Sequence, residues 1–101
     1  MMNLADFKRS LAAANPPANL TVSLQALWQD AKGNWQAAHA LVQVHEDDGT
    51  CNWVHAYLHR KEGDLPNAGY WYRSVNKPVF KDSLEEEWAA ISADLLAAAV
   101  R

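Results

Sequence analysis

Displacing the sequence against itself by thirty residues lays Lys32-Gly33-Asn34-Trp35 on Glu62-Gly63-Asp64-Leu65, and this repeat limits the folds open to the chain more than any other feature. Downstream of the two glycines Ala38 falls on Ala68, Leu41 on Trp71 and Val42 on Tyr72. Upstream, Leu24, Ala26, Leu27 and Trp28 fall on Val54, Ala56, Tyr57 and Leu58. The match is one of physical type. On both sides of each glycine the apolar residues recur at the three- and four-residue spacing of a helix face. Gly33 suits a left-handed helix end, and Asn34 beside it carries a side chain that accepts from the free amides of a following helix, while Glu62-Gly63-Asp64 closes the helical stripe at the equivalent place in the second unit. Each unit therefore reads as helix, tight turn, helix.

The flanking segments complete an all-α chain. Leu4, Phe7 and Leu11 after Asn3 predict a short leading helix that stops before Asn15-Pro16-Pro17. Ser83 and Glu86 stand at capping-box spacing ahead of Leu84, Trp88, Ile91 and Leu95, which predicts a C-terminal helix that caps the stack. The expected organisation is a single domain over residues 1–101. It holds a first hairpin over 20–47, a second over 50–76, and a C-terminal helix over 83–100. Alternation of Leu20, Val22 and Leu24 leaves a strand start as the competing reading of the first hairpin. A polar turn is expected at Glu46-Asp47-Asp48-Gly49, and Leu65, Ala68, Trp71, Tyr72 and Val75 form the buried stripe of the fourth main helix.

The run Glu62-Gly63-Asp64-Leu65-Pro66-Asn67-Ala68-Gly69-Tyr70-Trp71-Tyr72 resembles the Gly-Asp, Ala and aromatic pattern of tetratricopeptide-type (TPR) repeats. Two features depart from that family. The period is thirty where the family has about thirty-four, and His55 and His59 stand where its first helix usually carries core residues. The runs LQALWQDAKGNWQAAHALVQ and WVHAYLHRKEGDLPNAGYWYR, within residues 20 to 73, also resemble a group of short bacterial proteins with TPR-like hairpins and no assigned activity. The TPR resemblance implies protein or peptide binding.

Charge and cysteine content exclude several functions. A formal net charge of -3, with no run of like charges, gives no footprint for nucleic acid or an anionic membrane. Asp6, Lys8 and Arg9 interrupt the first apolar stretch, and Ser92 and Asp94 the last, so neither export nor insertion is expected. Cys51 is the one cysteine, which rules out an internal disulfide and fits a cytoplasmic protein. It follows a turn and reads as a bystander thiol. No P-loop, G-x-G-x-x-G or G-x-S-x-G is present, so no enzyme activity and no cofactor are expected.

Two groups of side chains stand out. His55 and His59 lie one turn apart on a helix and have the spacing to share a metal ion, with His39, His45 or Glu62 completing the set. Ala56 stands where a metalloprotease motif needs Glu, and Gln25 and Gln29 occupy the equivalent positions of the first hairpin, which favours a shared polar face over a dedicated ligand pair; the competing reading is of partly buried histidines that hydrogen-bond backbone or carboxylates at the hairpin interface. The second group is aromatic and basic, of the kind that dominates binding hot spots. The first expectation is a non-catalytic interaction module that binds a protein, a peptide or a second copy of itself through a face carrying His55, His59, Arg60, Tyr70 and Arg73. The alternatives are a metal or small-ligand protein using His39, His55 and His59, and a structural homo-oligomer.

Overall fold

A computed structural model describes residues 2–99. Among them the chain forms six helices and no strand: α1 (Leu4–Ser10), α2 (Val22–Ala31), α3 (Trp35–Gln43), α4 (Gly49–Glu62), α5 (Leu65–Ser74) and α6 (Leu84–Ala99). The end of the expected C-terminal helix, Val100, lies outside the described residues, as do Met1 and Arg101. No described helix is long and apolar enough to cross a membrane.

The two glycine turns close in the same way. Gly33 (φ 83°) and Gly63 (φ 92°) are left-handed. In each turn the next amide reaches back to a carbonyl five residues earlier, Asn34 to Gln29 at 2.9 Å and Asp64 to His59 at 3.0 Å. The side chains of Asn34 and Asp64 then accept from the amides of Ala37 and Asn67. One residue thus ends a helix and its neighbour starts the next, which folds α3 back on α2 and α5 back on α4. Asn76 (φ 57°) repeats the device at the end of α5, where the Lys77 amide bonds the Tyr72 carbonyl at 3.0 Å.

A side chain at Gly63 would meet no atom within 4 Å, so the cost of adding one is conformational alone. Gly63→Ala is expected to lose about 1–2 kcal/mol through its left-handed backbone. Gly49, with equally open space and no positive φ, should tolerate Ala or gain slightly. Urea midpoints of the two variants check the contrast; equal midpoints would contradict it.

Two helix starts differ from the sequence expectation. Helix α2 begins at Val22 because Thr21 accepts from the Leu24 amide, which leaves Leu20 outside the helix, packed beside the core. The strand reading of this segment is thereby excluded. Helix α4 begins a turn before the Trp53 stripe: the Asp48 carboxylate takes the Thr50 amide at 2.9 Å and its hydroxyl at 2.7 Å. The Asn52 amide group also donates to the Glu46 carbonyl at 2.8 Å. Gly49, expected in the turn, is therefore the first helical residue.

Helix α4 is the centre of the molecule. It packs against α2, α3, α5 and α6, and between Cys51 and His59 only Trp53 is not fully buried. Leu24, Leu27, Trp28, Val42, Val54, Leu58 and Ile91 fill the main core around it, and Ala38 and Ala68, both buried, let the hairpin helices approach. In α5 the expected stripe is narrower than predicted: Ala68 and Tyr72 are buried, whereas Leu65 is 61% exposed.

Tryptophan side chains fasten the outer helices. The Trp88 indole donates to the Leu27 carbonyl at 2.8 Å, and Phe7 stacks on the Trp88 ring at 5.6 Å. The Trp28 indole donates to Ser10 Oγ at 3.1 Å, and Lys32 Nζ reaches the Leu11 carbonyl at 2.7 Å. Helix α1 is thereby tied to α2 and α6. At the start of α6, Ser83 Oγ accepts from the Glu86 amide at 3.0 Å and donates to the Glu86 carboxylate at 3.0 Å, a variant of the expected capping box.

Candidate metal centre

Two helices bring three imidazoles together. His39 comes from α3, His55 and His59 from successive turns of α4, and Trp35 and Trp71 flank them from α3 and α5. The rings form one continuous stack: Trp35 on His39 at 4.9 Å, His39 edge-on to His55 at 4.9 Å and to His59 at 5.2 Å, His55 on His59 at 4.7 Å, and His55 on Trp71 at 4.1 Å. One ring nitrogen from each histidine lies within 4.8 Å of the others. On a tetrahedral zinc ion, ligand nitrogens stand about 3.4 Å apart, so modest side-chain rotation would close the set.

His55 and His59 are 5% and 6% exposed, which corrects the expectation that they line an open face. The physical reason is the position of α4: with neighbours on four sides it has no solvent face along its middle, so residues off the main apolar stripe are enclosed as well. Gln25 and Gln29, their counterparts in the first hairpin, are only partly buried.

Each imidazole has a different set of partners. His59 Nδ1 lies 2.5 Å from Glu62 Oε2, and His59 Nε2 lies 3.3 Å from Asn67 Nδ2. His55 Nδ1 is buried with no hydrogen-bond partner. Burial, with His59 and His39 alongside, pushes the His55 imidazole down from 6.5 to about 4. His39 is also lowered, by burial first and then by His59, while Glu62 acts in the opposite direction. At neutral pH His55 is therefore a neutral imidazole with one ring nitrogen's lone pair available, the form that ligates metals.

The remaining members of the expected interaction face are scattered. The Arg60 guanidinium donates to Glu87 Oε1 at 2.8 Å and to the Asp82 carbonyl, and lies 5.6 Å over the Phe80 ring. It is thus committed to an internal ion pair. Tyr70 is 56% exposed and Arg73 is exposed, so these two alone of the five stand open to solvent.

Comparison with known proteins returns no match among family models, curated proteins or solved structures. The assignment therefore rests on what these side chains can do.

Two buried acids were not expected from the sequence. Asp30, 2% exposed, accepts from the Tyr57 hydroxyl at 2.6 Å and from Lys61 Nζ at 2.9 Å. Glu87, 1% exposed, accepts from the Tyr72 hydroxyl at 2.5 Å and from Arg60. Burial first, and then the hydrogen bond to the carboxylate, raises both phenols well above their usual range. All four carboxylate oxygens have donors, so both networks act as cross-links between helices. A faint signal was present in the repeat, which sets Asp30 opposite Arg60, an exchange of charge at equivalent positions.

Cys51 is buried, and burial followed by the charge of Asp48 pushes its thiol up to about 12. This is the setting of an inert packing residue. Two open cavities, of about 650 and 590 Å³, lie away from the histidines, one beside Trp53 and Lys77 and the other beside Tyr57 and Trp88.

Proposed function

We propose that this protein binds one transition-metal ion, with zinc the best chemical match, through His39, His55 and His59 on a TPR-like pair of hairpins. The observation that carries the reading is the convergence of three imidazoles around His55, whose Nδ1 is enclosed without a hydrogen-bond partner. A buried polar atom of this kind costs about 1–3 kcal/mol unless something satisfies it. Neutral imidazoles suit zinc, copper, nickel and iron, and three histidines leave a coordination position for water, an anion or a nearby carboxylate. An ion held by α3 and α4 would join the two hairpins, and its binding energy would add directly to folding stability.

The test uses tag-free protein. Titration calorimetry with zinc should give one site per chain, and saturating metal should raise the melting temperature. His55→Ala and His39→Ala should each abolish the stoichiometric isotherm. Elemental analysis without stoichiometric metal, together with a melting temperature indifferent to added zinc, would overturn the reading.

One observation favours a second reading, that of an interaction module for a protein, a peptide or another copy of this chain. Tyr70 stands edge-on to Trp71 at 5.1 Å, and Arg73 one turn later and Leu65 at the start of the helix are exposed as well, which puts an aromatic, a cation and an apolar side chain on α5. Such a patch would be narrower than the face expected from sequence, since His55, His59 and Arg60 are engaged inside. Self-association through it predicts a mass that rises with concentration in light scattering and reverts on Tyr70→Ala with Arg73→Ala. A concentration-independent mass removes the homo-oligomer.

A further inference from the structure

We infer that metal uptake at the histidine cluster is controlled by the two neighbours of His59, with Glu62 as the residue that orients it for binding and Asn67 as an internal competitor that the ion must displace; this inference rests on the metal-binding reading above. The His59 ring meets a different partner at each nitrogen. His59 Nδ1 stands 2.5 Å from a Glu62 carboxylate oxygen, and a carboxylate only accepts, so the proton sits on Nδ1. That tautomer leaves the lone pair on Nε2, where the Asn67 amide group lies 3.3 Å away as donor.

A carboxylate behind the protonated nitrogen of a ligating histidine is the arrangement that fixes the tautomer, orients the ring and raises its basicity towards a metal. Glu62 holds that place three residues along α4, in the last turn before Gly63. Asn67 belongs to the other helix of the hairpin, and its own backbone amide is capped by Asp64. Its side chain is therefore held at the mouth of Nε2 by the same turn that folds α5 back. Binding through Nε2 exchanges the Asn67 hydrogen bond for a metal bond, which ties occupancy of the centre to the position of α5.

Three measurements test this. In metal-free protein, long-range ¹H–¹⁵N correlation spectra of the imidazoles should show His59 protonated at Nδ1 alone. Glu62→Ala should shift it towards the Nε2-protonated form, with Glu62→Gln in between. In zinc titrations Glu62→Ala should weaken binding about 10- to 100-fold, with partial recovery in Glu62→Gln. Asn67→Ala should tighten it roughly 3- to 10-fold, the value of one hydrogen bond no longer lost. Both sites lie at the turn and outside the core, so unchanged helical circular dichroism is expected.

A His59 signature of imidazolium in the metal-free protein, with Asn67 accepting through its oxygen, would overturn the inference, because that ring has no lone pair to give. Zinc binding by the natural protein with Glu62 and Asn67 variants indistinguishable from it would overturn the inference while leaving the metal centre standing. No zinc binding at all, even with the predicted tautomer present, would remove the metal centre and the competition at Asn67 together.

Discussion

Glu87→Ala should destabilise the protein by about 3–5 kcal/mol, a large part of the roughly 5–15 kcal/mol that holds a domain of this size together. The substitution leaves two enclosed donors without their acceptor, the Tyr72 hydroxyl and one arm of Arg60, whose side chain is 15% exposed. Arg60 retains the Asp82 carbonyl and the face of Phe80, which offset only part of the loss. The ion pair of Arg9 with Asp6 on α1 provides the contrast, since Arg9 is 71% exposed. Breaking a surface pair by Arg9→Ala should cost no more than about 1 kcal/mol. Chemical denaturation of both variants, read as midpoint and slope, checks the ordering. A Glu87→Ala midpoint close to that of Arg9→Ala would mean that the buried pair does not hold α4, α5 and α6 together as described.

The second large effect is a loss of stability in mild acid. His55 is held at about 4 in the folded protein against 6.5 when solvated, so over that interval the unfolded chain binds the proton that the folded chain refuses. Stability is full above pH 6.5, falls as the pH drops from 6.5 towards 4, and levels off below that for this residue. At about 1.4 kcal/mol for each pH unit, the shift from 6.5 to about 4 amounts to roughly 3 kcal/mol. His39 shifts in the same direction and adds to the loss. The groups facing His55 are His39, His59 and the Trp71 ring, with Glu62 beyond His59, so no carboxylate touches His55 to rescue its charged form. Unfolding free energy measured from pH 7.5 to 4 checks the prediction, with His55→Leu expected to flatten most of the slope. A natural protein equally stable at pH 7 and pH 4.5 would contradict it.

The helical character of the chain was legible because its determinants are local. Gly33 with Asn34, and Gly63 with Asp64, carry the stop and start of each turn in adjacent residues, and the same is true of Asn3 before α1 and Ser83 before α6. The helix starts at Val22 and Gly49 were less legible, since hydrogen bonds accepted by the Thr21 and Asp48 side chains override the apolar periodicity. The histidines were legible as a set and misread as to place. An amphipathic stripe assumes one buried face, whereas α4 is enclosed on four sides, and that fact belongs to the other helices. Asp30 and Glu87 were illegible for a related reason: an acid on a helix reads as solvent-facing until its partner is known, and Tyr57, Lys61, Arg60 and Tyr72 lie between 15 and 31 residues away.

The enclosure of α4 also bears on how divisible the molecule is. The repeat invites the picture of two modules, yet α2 and α3 pack on α4, a helix of the other unit, as well as on each other. A peptide ending before Asp48 would be left with Leu27, Trp28 and Val42 facing water and should behave as a fluctuating coil. Peptides cut between Glu46 and Asp48, mixed at equal concentration, should instead recover helical structure on association, with a midpoint that depends on concentration. The two hairpins of this chain complete one another, and the whole should melt in a single transition.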